Sequence, residues 1–208
     1  MIDAYVWTTP NGFKLLIALE ELGLPYNLNW VNIGKGEQKT PAYLAINPNH
    51  KIPAIVDHDE ATGETRTVFE SGAALTYLGD RSGKLLPTAG QPRYTALEWM
   101  FFNAGGTGPM TGQLYFFTKS ANEKLPLAID RFTDEVKRLH GVLERRLSES
   151  TYLVGDEYTL ADVMNVTWVK AAADLGIPRD DYPSVKRWVD AIMERDAVKR
   201  AYALKPPQ

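Results

Sequence analysis

The amino-acid sequence predicts an α/β domain that is followed by an all-helical domain. Short runs typical of β-strands alternate with helical patterns in residues 1–82, whereas residues 93–208 contain helical patterns and no convincing strand. The segment between them, residues 83–92, is rich in residues that break helices and strands, namely Gly83, Pro87, Gly90 and Pro92. We therefore predict two domains that are joined by a linker over residues 83–92.

The first half of the α/β domain has a strand–helix–strand pattern. Residues 2–7 predict a strand that is buried on at least one face, and residues 8–12 predict the turn that leaves it. A helix is predicted over residues 13–22, because apolar side chains recur there at helical spacing and the pattern stops at Gly23. Residues 26–33 predict a second strand. The apolar positions of the helix are Leu15, Leu16, Ala18, Leu19 and Leu22.

The second half of this domain predicts a short helix, a β-hairpin and a longer helix. Residues 41–46 predict the short helix, and the apolar runs at 54–56 and 67–69 predict a hairpin around a turn at residues 62–63. Ser71 is predicted to cap the last helix. The element order is then β-α-β-α-β-β-α, which is thioredoxin-like. Such an order favours parallel pairing of the first strands and antiparallel pairing in the hairpin.

The second domain is predicted to consist of helices alone. A glycine-rich stretch at residues 105–109 is expected to interrupt or kink the first of them. Thr159 and Asp162 have the spacing of a helix-capping box, with Asp in the usual Glu position. Amphipathic helices are predicted over residues 93–102, 127–147 and 182–192.

Charge and hydropathy exclude several classes of protein. The formal net charge is -3 and the pI is about 5.7, which argues against non-specific binding of nucleic acids or of anionic membranes. The sequence has no apolar run of about 18 residues and no pattern of a signal peptide. We therefore expect a cytoplasmic protein that spans no membrane.

The absence of cysteine restricts the chemistry of the chain. With no cysteine in 208 residues, the protein has no disulfide, no cysteine-based metal site and no thiol nucleophile of its own. The three histidines, His50, His58 and His140, lack the spacing of metal ligands. No metal is therefore expected.

The segment from residue 50 to residue 80 contains the candidate site. The Ile52–Pro53 bond precedes a strand, where a cis peptide costs only about 0.5–1 kcal/mol and would expose the backbone of Ile52 to an extended peptide. Glu70 and Ser71 follow the hairpin and offer a carboxylate, a hydroxyl and the N–H groups of a helix start. These groups suit a small peptide that carries both an ammonium and a carboxylate.

The motifs Asn-Pro-Asn-His-Lys-Ile-Pro at residues 47–53 and Phe-Glu-Ser-Gly-Ala at residues 69–73 resemble the glutathione site of the glutathione S-transferase family. The resemblance covers essentially the whole chain. It implies that Ile52 pairs with the peptide backbone of glutathione, that Glu70 binds the γ-glutamyl ammonium and that Ser71 binds the γ-glutamyl carboxylate. It also assigns Gln38 and Lys51 to the glycine end. As isolated residues, Gln38, Lys51 and Glu70 are more typical of a solvated surface.

The turn after the first strand is the predicted place of sulfur activation. Thr9 and Asn11 alone fit ordinary turn chemistry, but beside a glutathione site their donors and the helix N-terminus can stabilise a thiolate. Many family members place Tyr, Ser or Cys here. The Thr-Pro-Asn version resembles the bacterial nu-class enzymes and the transferase-like domain of a fungal nitrogen regulator. Arg131 matches a helical arginine that reaches the ligand in nu-class relatives; a solvated helix face is the alternative.

The resemblance implies a homodimeric glutathione transferase that uses a bound glutathione thiolate. The second substrate is expected to be a small electrophile or a disulfide, and the site to hold one glutathione, two glutathiones or glutathione disulfide. The alternative is a non-catalytic, glutathione-binding regulatory protein on the same fold, because a fold does not by itself determine function.

Overall fold

The computed structural model describes residues 1–59 and 62–207. It divides into two compact units, of which the first comprises Met1–Leu86 together with Arg195–Gln208 and the second comprises Pro87–Glu194. In neither unit does the described part of the chain contain a helix long and apolar enough to cross a membrane. The domain boundaries at residues 82 and 93 stay a prediction.

The first unit is built on a four-stranded mixed sheet, and it confirms the predicted thioredoxin-like fold class. The strands are β1 (Ile2–Val6), β2 (Tyr26–Trp30), β3 (Ala54–His58) and β4 (Thr65–Phe69), in the order β2-β1-β3-β4. β1 is parallel to β2 and antiparallel to β3, which is in turn antiparallel to β4. Strand β2 is shorter than predicted because its partner strand β1 ends at Val6. The Val6 carbonyl accepts a hydrogen bond from the amide of Val31, and the chain then turns, since the Trp7 carbonyl accepts from the amide of Thr9.

The helices of the first unit are α1 (Pro10–Leu22), α2 (Pro41–Leu44), α3 (Ser71–Ser82) and α9 (Asp196–Ala203). Helix α1 begins earlier than predicted because Thr9 caps it and a proline suits its first position. The prediction that Ser71 caps α3 is wrong, since Ser71 is the first helical residue and Glu70 is the cap.

Helix α9 is the one element of the first unit that comes from the end of the chain. It packs against α1, and the Phe13 and Tyr202 rings stack with centroids 4.3 Å apart. The Arg195 guanidinium donates to both carboxylate oxygens of Glu21, at 2.6 and 2.8 Å. The predicted helical domain over residues 93–208 includes this segment, whereas ring stacking and ion pairing attach it to α1.

The second unit is built from helices, as predicted, apart from one isolated β-bridge between Tyr152 and Gly155. The interruption or kink that is predicted near residues 105–109 coincides with a π-helical stretch over Asn103–Thr107. This stretch joins two α-helices without a break in helical structure. The capping box is confirmed: the amide of Thr159 donates to Asp162 Oδ2 at 2.9 Å, and buried Trp188 donates to Asp162 Oδ1 at 2.9 Å. The helices are α4 (Gly90–Phe102), α5 (Gly108–Tyr115), α6 (Pro126–Ser148), α7 (Leu160–Ala172) and α8 (Pro183–Met193).

Candidate functional site

The sheet topology places several candidate segments at one end of the first unit. Tyr5 of β1 pairs with Ala54 of β3, which also pairs with Phe69 of β4. Because β3 is antiparallel to both neighbours, the chain leaves β1 and β4 at the end where it enters β3. The turn after β1, the segment before β3 and the start of α3 therefore lie at the same end of the sheet. Strand β2 is parallel to β1 and leaves the sheet there as well.

The start of α1 follows β1 directly. Thr9 Oγ1 accepts a hydrogen bond from the amide of Gly12 at 3.2 Å, so the Thr9 hydroxyl keeps its proton for donation to another atom. Asn11 lies in the first turn of α1, where its side chain is half-buried. The first-turn amides of a helix favour negative charge. This turn therefore has the donors and the dipole that a thiolate requires.

The segment before β3 is tied down through the carbonyl of Lys51. That oxygen accepts hydrogen bonds from Tyr43 Oη at 2.6 Å and from Asn47 Nδ2 at 2.7 Å. The Asn47 side chain is buried, and its Oδ1 accepts from the amide of Asn49 at 2.9 Å. Ile52 follows with a cis bond to Pro53 and lies two residues before Ala54, the first paired residue of β3. The backbone at Ile52 is thus placed beside the sheet and outside its ladder.

The turn from β4 into α3 presents a carboxylate at a helix start. Glu70 has a positive φ of 69°, and its exposed side chain accepts a hydrogen bond from Asn49 Nδ2 at 3.4 Å. Ser71 begins α3 immediately afterwards. An ammonium can bind the carboxylate while a neighbouring carboxylate binds the hydroxyl and the amides of the helix start.

Lys14 on α1 is a charged residue to which the motifs in the sequence do not point. It lies on α1 with 2% of its surface exposed. Burial lowers the pKa of its ammonium to about 7, and the nearby carboxylate of Glu70 acts in the opposite direction. A signal was present in the sequence, because residue 14 lies four positions before Ala18 and so falls on the apolar face of the helix.

Gln38 and Lys51 also belong to the first unit. Gln38 lies in a 3₁₀ turn over Glu37–Lys39, and its Nε2 donates to the carbonyl of Ile33 at 3.4 Å. Its Oε1 is buried and has no hydrogen-bond partner within residues 1–59 and 62–207. Lys51 has an exposed side chain. Their assignment to the glycine end of a peptide stays a prediction.

Arg131 lies apart from these residues in the chain, on α6 of the second unit. Its side chain is 67% exposed, and Nη1 is 3.9 Å from Glu135 Oε2. A role of Arg131 toward a ligand stays a prediction. No group of three or more His, Cys, Asp or Glu side chains suited to a metal ion occurs among the described residues.

Sequence profiles of two domains match the chain. The profile described as "Glutathione S-transferase, N-terminal domain" matches residues 8–81, and the profile described as "Glutathione S-transferase, C-terminal domain" matches residues 109–196. The first match contains the turn after β1, the segment before β3 and the start of α3. The matches thus agree with the resemblance found in the motifs.

Individual proteins match along nearly the full chain. The disulfide-bond oxidoreductase YfcG of Escherichia coli is 44% identical over 202 residues, which cover 97% of this chain and 94% of the relative. A glutathione transferase from Burkholderia graminis, solved with two glutathione molecules per subunit, superposes with a TM-score of 0.92 at 42% identity and covers 97% of this chain and 87% of its own. A glutathione transferase from Pseudomonas putida, solved with one glutathione disulfide per subunit, has a TM-score of 0.91 at 36% identity, with coverages of 99% and 92%.

Proposed function

The chain belongs to the glutathione S-transferase family, and on that premise we propose that it binds glutathione and uses its thiolate as a nucleophile, chiefly to reduce disulfides. The observation that carries this proposal is the shared end of the sheet, where a helix N-terminus with Thr9 and Asn11 lies at the same end as the backbone of Ile52 and the carboxylate of Glu70. The Thr-Pro-Asn turn supports a nu-class member.

The proposed assignment of ligand groups follows their chemistry. Glu70 binds the γ-glutamyl ammonium, and Ser71 with the α3 amides binds the γ-glutamyl carboxylate. The backbone of Ile52 pairs with the cysteinyl residue of glutathione. Gln38 and Lys51 bind the glycine carboxylate. The sulfur then lies at the α1 turn, and we propose Arg131 as a further ligand group.

The reaction requires no protein thiol, which agrees with a chain that contains no cysteine. One glutathione thiolate attacks a sulfur of the substrate disulfide, forms a mixed disulfide with it and releases the first substrate thiolate. A second glutathione thiolate attacks the glutathionyl sulfur of that mixed disulfide, forms glutathione disulfide and releases the second thiolate. Two glutathiones are thus oxidised while one substrate disulfide is reduced. The relatives solved with two glutathiones or with glutathione disulfide support a site of this capacity.

We also propose that the protein is a cytoplasmic homodimer. Tyr94 and Phe101 lie seven residues apart on α4, and they are 63% and 72% exposed in the single chain. A spacing of seven residues puts both rings on one face of the helix, which a second subunit can cover. A cytoplasmic location suits a reaction that consumes reduced glutathione.

Initial rates with glutathione and either a small symmetrical disulfide or an aryl halide test the proposal. We expect turnover of the disulfide to exceed conjugation of the aryl halide in kcat/KM. A preference for the aryl halide would replace reduction by conjugation as the main activity. Tight binding of glutathione without turnover of either substrate would favour a regulatory, non-catalytic protein. No binding of glutathione would overturn the proposal entirely.

A further inference from the structure

Two buried side chains donate to one backbone oxygen in the segment before β3. The carbonyl of Lys51 accepts hydrogen bonds from Tyr43 Oη at 2.6 Å and from Asn47 Nδ2 at 2.7 Å. Both side chains are buried, so water competes little for either bond. A carbonyl oxygen has two lone pairs and can accept both bonds at once. The two donors therefore fix the direction in which this oxygen points.

The peptide group that contains this oxygen also carries the N–H of Ile52. The bond from Lys51 to Ile52 is trans, so its C=O and N–H point in opposite directions. The oxygen is directed at Tyr43 of α2 and at Asn47, which follows that helix. The N–H of Ile52 therefore points away from both side chains. The ladder of β3 begins at Ala54, so the sheet does not use this N–H.

The side chain of Ile52 is supported by the same part of the molecule. It packs against a buried cluster that consists of Val31, Tyr43 and Ala54. The Tyr43 ring also makes an edge contact with the ring of Tyr5, with centroids 6.1 Å apart. Tyr43 thus belongs to the cluster under Ile52, while its hydroxyl holds the carbonyl that precedes Ile52. Both contacts oppose rotation of the intervening peptide group.

The side-chain amide of Asn47 fits this role in one orientation. Its Oδ1 accepts from the amide of Asn49 at 2.9 Å, while its Nδ2 donates to the carbonyl of Lys51. An N–H can only donate and a carbonyl can only accept, so both partners require the same orientation. The main chain of Asn47 is held as well, because its amide donates to the carbonyl of Tyr43 at 2.8 Å. The donor to Lys51 is therefore in place before any ligand binds.

We propose that Tyr43 and Asn47 are positioning residues for glutathione, which hold the Lys51 carbonyl so that the N–H of Ile52 is aimed at the cysteinyl carbonyl of the ligand. The inference rests on the proposed pairing of glutathione with the backbone of Ile52. A hydrogen bond weakens steeply when its angle departs from linearity, so a donor that is aimed in advance keeps its strength. A peptide group that is already ordered also lowers the entropic cost of binding.

This role has a signature that depends on the ligand. Loss of one donor to the Lys51 carbonyl weakens the bond from Ile52 to the cysteinyl carbonyl and leaves the other ligand contacts unchanged. A ligand whose cysteinyl carbonyl is a poorer acceptor gains less from that bond and has less to lose. A general structural role of Tyr43 or Asn47 would instead weaken both ligands by the same factor.

The test is the affinity of two ligands for the intact protein and for Tyr43→Phe, measured by calorimetry. One ligand is glutathione, and the other is its ester analogue, in which an oxygen replaces the N–H between cysteine and glycine. The cysteinyl carbonyl of an ester is the weaker acceptor. We expect Tyr43→Phe to weaken glutathione about fivefold, the scale of one hydrogen bond, and the ester by less than about twofold. The missing glycyl N–H affects both proteins alike and cancels.

Asn47→Asp is a second variant, because it replaces the donor by an oxygen that repels the Lys51 carbonyl and keeps the acceptor for the amide of Asn49. It should weaken glutathione by about tenfold, and the ester less. Tyr26→Phe is the matched control. It removes a hydroxyl that donates to Glu20 at 2.8 Å where β2 begins, at the opposite end of the sheet. Both affinities should stay within about twofold of their original values.

A measurement on the unmodified protein does not depend on how the variants fold. In a heteronuclear NMR spectrum, the amide proton of Ile52 should move downfield when glutathione binds, and it should move less with the ester. Equal shifts with both ligands, equal weakening of both by Tyr43→Phe, or unchanged affinity of both variants for glutathione would overturn the inference alone. Failure of the unmodified protein to bind glutathione would overturn the proposed function and the inference with it.

Discussion

Gly12 lies so close to the carbonyl oxygen of Trp7 that a Cβ atom at position 12 would be 2.0 Å from that oxygen. The start of α1 and Trp7, the residue after β1, are therefore in backbone contact at the turn that carries Thr9 and Asn11. This contact sets where the first-turn amides of α1 lie relative to the sheet. Any side chain at position 12 would displace the backbone at Trp7, and a closely packed interior resists such a shift.

Gly12→Ala should destabilise the protein by about 1–3 kcal/mol or more, because it overpacks a backbone contact. The measurement is urea unfolding followed by circular dichroism. Gly141→Ala is the matched control, since a Cβ at this position of α6 meets no atom within 4 Å and alanine is the better helix former. The control should be neutral or stabilising by up to about 1 kcal/mol. Equal effects of the two substitutions would contradict the close contact at Gly12.

Thr9→Ala and Asn11→Ala should each raise the apparent pKa of the pH–rate profile and lower kcat more than they change KM. Each removes a donor to the proposed thiolate, a contribution of about 1 kcal/mol. The measurement is the rate of disulfide reduction across pH. Thr9→Ser is the control, because it keeps the hydroxyl that caps α1 by accepting a hydrogen bond from the amide of Gly12 at 3.2 Å. If both alanine variants keep wild-type rates at every pH, Thr9 and Asn11 do not activate the sulfur, and Arg131 or a second glutathione becomes the candidate.

Glu70→Ala should weaken the binding of glutathione by about 1.5–3 kcal/mol, the scale of a hydrogen bond to a charged group. Calorimetry measures this loss directly. Asn49→Ala should weaken binding less, because Asn49 contacts the carboxylate at 3.4 Å and acts on the ligand only through it. Unchanged affinity of a folded Glu70→Ala protein would remove Glu70 from the site.

Lys14 should make stability depend on pH between about 7 and 10. Its native pKa is about 7, below its ordinary value of 10.5, so in this range the unfolded chain binds a proton that the native protein lacks. The free energy of unfolding should therefore rise with pH, by up to about 1.4 kcal/mol per unit for this group. Below the native pKa the cost of burying the charge is fully present. Comparing urea unfolding of wild type and Lys14→Met at pH 7 and pH 9 isolates this rise; parallel changes in the two proteins would contradict it.

Phe101→Glu should convert the proposed dimer to a monomer, because it puts a charge on the exposed aromatic face of α4. Sedimentation equilibrium at micromolar concentration measures the change. Leu127→Glu is the control, since Leu127 is 85% exposed on α6 and outside that face. Sedimentation of the wild-type protein as a monomer would contradict the proposed dimer.

The sequence determined those features that depend on neighbours along the chain. Helix α1 follows from its apolar spacing and its end at Gly23, and the capping box follows from Thr159 and Asp162, because the bonds concerned join residues within one helical turn. Glu70 and Ser71 were found together for the same reason, since the groups they offer are adjacent in the chain. The mixed sheet followed from the order of strands and helices.

Only the tertiary structure decided the features that join distant residues. Helix α9 joins the first unit because Arg195 pairs with Glu21 and the Phe13 and Tyr202 rings stack. Glu70, rather than Ser71, caps α3 because the chain leaves β4 with a positive φ at Glu70. Local patterns determine secondary structure because the contacts concerned join residues a few positions apart. The charge environment of a site depends instead on which helices pack together. The periodicity of a sequence carries no information on that pairing.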